Sequence, residues 1–164
     1  MIALKHVLVA TDFSEPSEVA LTYGRHFARN FGATLHVMHV VENVMARFAA
    51  DAYPVLLPDL QKEVEDAGQK RLMAALTPDD LTELHALPVI RTSAAPAAAI
   101  VEYAKDADID LIIMGTHGRG AVAKLLMGSV AERVVRMAGC PVLTVRHPEH
   151  EFVLPDALVA VAKA

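Results

Sequence analysis

Short apolar runs alternate with amphipathic stretches along the chain. His6–Ala10 (HVLVA) is a compact Val-rich run, the pattern of a strand buried on both faces. Across Glu15–Phe31, Val19, Leu21, Tyr23, Phe27 and Phe31 stand among polar residues at helical spacing. Ser14 is placed to cap this helix, Pro16 suits its first turn and Gly32 stops it. Thr34–Val41 (TLHVMHVV) predicts a second strand, while Glu42–Pro58 holds two prolines and no steady period. Asp59–Leu76 predicts an amphipathic helix, with Leu60, Val64, Ala67, Arg71 and Leu72 near one period. Leu84–Arg91 predicts a weaker third strand, because Pro88 interrupts it. Ala97–Ala107 predicts a short helix, Asp110–Met114 (DLIIM) a fourth strand, Val130–Ala138 a helix and Pro141–Val145 (PVLTV) a fifth strand.

Strands separated by helices imply right-handed crossovers and a parallel sheet with helices on both faces. The expected fold is one α/β domain of three layers around a five-stranded parallel sheet, with no repeat or linker dividing it. In such sheets ligands sit beyond the carboxyl ends of the strands, where strand order reverses. That rule singles out Thr11-Asp12, the residues from Val41 onward, and those from Gly115 onward.

The strongest chemical signal follows the fourth strand. Gly115, Gly118 and Gly120 crowd the turn that begins GTHGRG. Glycine suits positions where backbone approaches a ligand closely, and successive backbone N–H groups in such a turn form an anion-binding concavity. Gly128 and Ser129 come after a further nine residues, and Ser129-Val130-Ala131-Glu132 is a capping-box pattern, so a helix is expected to start there. A helix start adds N–H donors and partial positive charge, which suit phosphate. Neither the P-loop Gly-Lys-Ser/Thr nor a GxGxxG after the first strand is present, which argues against a GTPase-type engine and NAD(P) binding.

Composition narrows the partners. The 164 residues are 54% hydrophobic but 5% aromatic, so the core is expected to be built from Val, Ile, Leu, Ala and Met. The charge of −5 and the lack of a basic stripe argue against nucleic acid. The single cysteine, Cys140, fits a reducing compartment. With neither a signal peptide in MIALKHVLVATD nor a stretch of membrane-spanning length, the expected location is the cytoplasm, with no membrane insertion. His36 and His39, three apart on a strand, face opposite ways and do not chelate together. Cys140, between Gly139 and Pro141, reads as a buried thiol at a helix end rather than a redox nucleophile.

The glycine spacing resembles the nucleotide-binding branch of the universal stress protein family, whose signature is GxxG, nine residues, then Gly and Ser or Thr; here Gly115-Thr116-His117-Gly118, Arg119 to Met127, and Gly128-Ser129. VLVATDFSEPS, TLHVMHVVE and GCPVLTVRH resemble the family's first, second and last strands, so the likeness covers about residues 3 to 147. It implies an adenine nucleotide alpha hydrolase-like sheet of order 3-2-1-4-5. It also implies an adenine nucleotide ligand, ATP above all, with Mg2+ or Mn2+ carried by the phosphates. By the same likeness, Asp12 meets the ribose and the metal-bound phosphates, Val37 meets the adenine, and Met114 closes against the base or sugar. Gly115, Gly118, Gly128, Ser129 and Val130 form the cradle, and His117 and Arg119 reach toward the terminal phosphate. Ala10 and Thr11 form the pocket wall beside Asp12; members often carry Pro or Val before Thr11, and here the residue is Ala10. Taken alone, Asp12 fits better as a turn residue making an Asx bond after a strand.

These features suit a nucleotide-dependent stress-response or signalling module, since no residue stands out as a base for an attacking water. A slow ATPase or autokinase using Asp12, bound Mg2+ and Ser129 is the enzyme alternative, and a dimerisation scaffold without nucleotide is a third. The apolar strand Cys140–Arg146 is expected at a sheet edge. The resemblance implies that this strand pairs with its copy in a homodimer, with Val142, Leu143 and Val145 about the two-fold axis. The segment 148–164 carries Phe152, Val153, Leu154, Leu158, Val159 and Val161, so a tail packed on the body or across the dimer is expected.

Overall fold

The computed structural model describes residues 2–48, 57–116 and 127–146. Strand β1 (His6–Ala10) lies at the centre of a five-stranded, all-parallel sheet with β2 (Thr34–Glu42), β3 (Leu87–Ser93), β4 (Leu111–Gly115) and β5 (Val142–Val145), in the order β3-β2-β1-β4-β5. Val9 is opposite Val37 on one side and Ile113 on the other, so unbroken apolar rows cross the sheet. Val7, Val9, Leu35, Val37 and Ile113 pack with Ala20, Leu21 and Ala28 of α1 (Glu15–Phe31) and Leu72 of α3 (Leu57–Ala75). Leu8, Ala10, Met38, Ile112 and Met114 pack with Ile100 of α5 (Pro96–Asp106) and Val134 of α6 (Ser129–Met137). This is the expected three-layer arrangement. At Gly24, in the middle of α1, an added Cβ would collide with Val9, so the absent side chain lets this helix lie close on the sheet.

Several elements depart from the sequence reading. The stretch after β2 is not wholly irregular: α2 (Val44–Phe48) starts where the Asn43 side chain accepts the Ala46 N–H at 2.9 Å. Helix α4 (Pro78–Thr82) follows a reciprocal cap in which Thr77 accepts from the Asp80 N–H and Asp80 from the Thr77 N–H. Strand β3 runs from Leu87 to Ser93 rather than from Leu84 to Arg91. It is an edge strand, where a residue without an N–H is tolerated, and Pro88 sits inside it opposite Val37. Leu84 and Ala86 leave the strand and fill the core.

A buried ion pair ties α1 to α4. Arg25 donates from Nε to both Asp80 oxygens at 2.8 and 3.0 Å, and from Nη2 to Asp80 at 2.7 Å and to the Ala75 carbonyl at 2.9 Å. The Asp80 side chain is fully buried. Burial alone would raise its pKa, but the Arg25 bonds and charge and the Thr77 bonds outweigh burial and hold it below the ordinary value.

Candidate functional site

The chain proceeds outward from β1 to β2 and β3, then crosses to β4 on the other side of β1 and on to β5. The strand order therefore reverses between β1 and β4, and the crevice beyond their carboxyl ends is the place where this class of sheet receives ligands. Ala10 and Met114 are register partners there, both buried against Met38 in the core beneath α5 and α6.

Beyond Ala10, the Thr11 N–H donates to the Met38 carbonyl at 2.9 Å and prolongs the ladder by one residue. Its buried hydroxyl lies 3.0 Å from the Ser17 hydroxyl and accepts the Phe13 N–H at 3.0 Å. Half-buried Asp12 accepts from the Ser14 N–H at 3.2 Å and from the Ser14 hydroxyl, so the Asx bond of the plain turn reading is present. Ser14 stands at the N-cap of α1, but its hydroxyl goes to Asp12 rather than to the helix; its carbonyl accepts from Ser17 and Glu18 instead. Pro16 and Gly32 occupy the first turn and the left-handed stop as expected.

On the β4 side, a Cβ on Gly115 would lie 2.8 Å from the Pro16 Cβ and 3.0 Å from its carbonyl carbon. The first turn of α1 therefore requires glycine there, independently of any ligand. The Thr116 N–H donates to the Val145 carbonyl at 2.7 Å, and the Gly128 N–H donates to the Thr116 carbonyl at 2.7 Å. These bonds bring Gly115-Thr116 and Gly128-Ser129 together at the ends of β4 and α6. Ser129 is exposed and opens α6 as its first residue, with Gly128 as N-cap. The expected capping box from Ser129 to Glu132 is therefore not formed. Gly128, whose carbonyl accepts the Glu132 N–H at 3.0 Å, has no side chain to complete it, and Glu132 pairs with Arg136 at 2.8 Å. Val130 is half-buried against the α5–α6 core. His117, Gly118 and Arg119 lie outside the described residues.

Val37 is not at the crevice. It is fully buried in mid-strand and faces the α1–α3 core. The position nearer the strand end is Val40, half-buried on the opposite face. It lines a cleft of about 350 Å3 together with Glu42, Arg47, Ser93, Ala94 and Pro96. Arg47 Nη1 reaches both Glu42 oxygens, at 2.9 and 3.0 Å, beside that cleft. Counting alternate residues along β2 separates Val37 from Val40, since an odd step changes faces.

The strand histidines do face opposite ways. His36 is buried on the α5 side, with Nδ1 2.8 Å from the Tyr103 hydroxyl and Nε2 3.2 Å from His6 Nδ1. Burial first, and repulsion from His6 second, lower its pKa to about 4. His39 Nδ1 lies 2.8 Å from the Thr11 carbonyl, which only accepts, so Nδ1 carries the proton. The sequence reading considered His39 only as a metal ligand and missed this bond. Among the described residues no group of three His, Cys, Asp or Glu side chains is arranged to hold a metal ion. Cys140 is half-buried rather than buried as expected, and its partial burial still pushes the thiol pKa up, away from thiolate chemistry. No helix among the described residues is long and apolar enough to cross a membrane.

The sequence profile of the Universal stress protein family matches residues 3–146. A universal stress protein of Methanocaldococcus jannaschii is 32% identical over 148 residues, spanning 90% of this chain and 85% of the relative. The solved universal stress protein UspA from Lactobacillus plantarum superposes with a TM-score of 0.71 at 25% identity, covering 89% of this chain and all of the other. A universal stress protein solved in complex with cAMP superposes with a TM-score of 0.55 at 26% identity, covering 88% of this chain and 98% of that one. With the family profile matched over residues 3–146 and relatives of this identity and fold, the chain belongs to the universal stress protein family.

Proposed function

We propose that this chain binds an adenine nucleotide, ATP with its divalent cation, in the crevice between β1 and β4 and works as a nucleotide-dependent stress-response or signalling module. The observation that carries the reading is the Gly128 N–H bond to the Thr116 carbonyl. It sets the start of α6, with its N–H donors and partial positive charge, beside the end of β4 and next to the Thr11-Asp12 turn. The cAMP complex of a relative supports the adenine class. The base fits the cleft lined by Val40, Ser93, Ala94 and Pro96 better than it fits Val37, which is sealed in the core. Gly118, His117 and Arg119 complete the phosphate end. Asp12 is one carboxylate, so Mg2+ or Mn2+ here takes its other ligands from phosphate and water.

Mass spectrometry of small molecules released from the purified protein, followed by calorimetric titration with ATP and Mg2+, tests the reading. ATP or ADP is expected in the released fraction. Gly128→Val is expected to abolish binding while the fold persists, and Asp12→Ala to weaken binding most when the metal is present. Unchanged ATP binding in Gly128→Val would refute the cradle. Sustained turnover on the order of 1 s⁻¹ would refute the module reading in favour of an enzyme.

The assembly proposed with this function is a homodimer through the edge strand β5. Val142 and Leu143 are half-buried and available to a two-fold contact, whereas Val145 packs inside its own core. The segment 148–164 lies outside the described residues, and its docking on the body or the partner is part of the same proposal. A monomeric mass by light scattering at micromolar concentration would refute the dimer. The lone cysteine fits a cytoplasmic site of action.

A further inference from the structure

Phe13 has φ of 63°, in the left-handed region that bulky side chains avoid. The Asp12–Ser14 hydrogen bond spans this residue, so the backbone of Phe13 sets where the Asp12 carboxylate points. The Phe13 ring packs on the α1–α3 core, and two polar neighbours lie on it. The Arg71 guanidinium of α3 lies 4.3 Å above its centroid, and the His39 ring of β2 packs on it with centroids 4.4 Å apart. His39 also grips the Thr11 carbonyl, on the other side of Asp12.

We propose that Arg71 and His39 are positioning residues that hold Phe13 in its left-handed turn and thereby aim Asp12 at the metal–phosphate end of the ligand. The proposal rests on the nucleotide reading for its functional part only, since the conformational part is testable without ligand. A strained residue persists where its surroundings over-determine it. Here the determinants include a cation from α3 and an imidazole from the neighbouring strand. Removing the cation loosens the ring, shifts Phe13 toward negative φ, and weakens the bond from Ser14 to Asp12. Adenosine, which keeps the ribose but has neither phosphate nor metal, is affected less by this change.

The experiment pairs nuclear magnetic resonance of the ligand-free protein with calorimetry. A strong intraresidue amide–Hα Overhauser effect at Phe13 marks positive φ in the parent, and it is expected to weaken in Arg71→Gln and to return in Arg71→Lys. Affinity for ATP with Mg2+ is expected to fall about three-fold in Arg71→Gln, the scale of one exposed cation–π contact. Affinity for adenosine is expected to fall less than affinity for ATP with Mg2+. Phe13→Gly is expected to retain more ATP affinity than Phe13→Ala, because glycine takes positive φ freely. A role in packing alone predicts the reverse order. In the Phe13→Gly background, Arg71→Gln is expected to have no further effect. An unchanged Overhauser effect in Arg71→Gln, equal losses for ATP and adenosine, or a weaker Phe13→Gly than Phe13→Ala would each overturn the proposal. Should the parent bind no adenine nucleotide, the nucleotide reading falls, and the Overhauser comparison still decides the clamp.

Discussion

Acidification is expected to destabilise the fold through His36 before its carboxylates titrate. His36 is only 5% exposed. Both of its ring nitrogens are engaged, one with His6 and one with Tyr103. Arg91 lies 5.3 Å over the Tyr103 ring and adds a second positive charge beside the cluster, while Asp110 accepts the backbone N–H groups of Lys5 and His6. Burial, and then the His6 repulsion, lower the His36 pKa from 6.5 to about 4. Between those values the unfolded chain takes a proton that the folded chain refuses, so stability is full above pH 6.5 and falls as the pH drops toward 4. At about 1.4 kcal/mol per pH unit, the loss accumulates to about 3 kcal/mol. Urea denaturation at pH 7, 6, 5 and 4.5, run on the parent and on His36→Gln, isolates this contribution, because every carboxylate is common to both. The parent is expected to lose about 2–3 kcal/mol more than the variant over that range. Parallel stability–pH curves would refute the reasoning, as would a His36 ring resonance that titrates near 6.5.

Asp80→Ala removes the acceptor of three Arg25 bonds and of the Thr77 N–H, leaving a partly buried guanidinium uncompensated; a loss of about 3–5 kcal/mol in urea denaturation at pH 7 is expected. A loss below about 1 kcal/mol would show that Arg25 finds solvent at little cost. Gly115→Val puts a branched side chain against Pro16 and is expected to destabilise the ligand-free protein by about 1–3 kcal/mol in thermal unfolding. A variant that keeps the parental melting temperature and loses only nucleotide affinity would reassign Gly115 from helix packing to the ligand.

Much of the fold is legible along the chain because its central strands are short apolar runs and its longer helices carry local punctuation. β1 and α1 fall where Val-rich sequence, Pro16 and Gly32 place them. The errors have specific causes. α2 and α4 have five residues each, too few to show a helical period, and only their caps at Asn43 and Thr77 betray them. β3 begins later than its apolar residues suggest, because Leu84 and Ala86 are claimed by the core rather than by the ladder. The N-cap of α6 moves to Gly128, whose N–H is already committed to the Thr116 carbonyl across the sheet edge, a bond that no window of sequence contains. The same limit hid Arg25–Asp80 and the clamp on Phe13, since each joins residues distant in the chain. Thr11-Asp12 and Gly128-Ser129 stand at the end of β1 and the start of α6, where strand ends and glycine spacing, both local signals, put them. Val40 rather than Val37 lines the cleft beside β2, a difference of strand parity.

The bond between Gly128 and Thr116 also makes the connection from β4 to α6 a closed ring hung on a finished scaffold. The scaffold bonds of Thr116, Val145 and Gly128 are made outside residues 117–126, while Met127 packs on the α5–α6 core. Lengthening such a ring costs slowly, about 0.6 kcal/mol for each doubling. β4, β5 and α6 therefore keep their registration through Val145, Thr116 and Gly128, bonds that stand outside the connection whose length can vary.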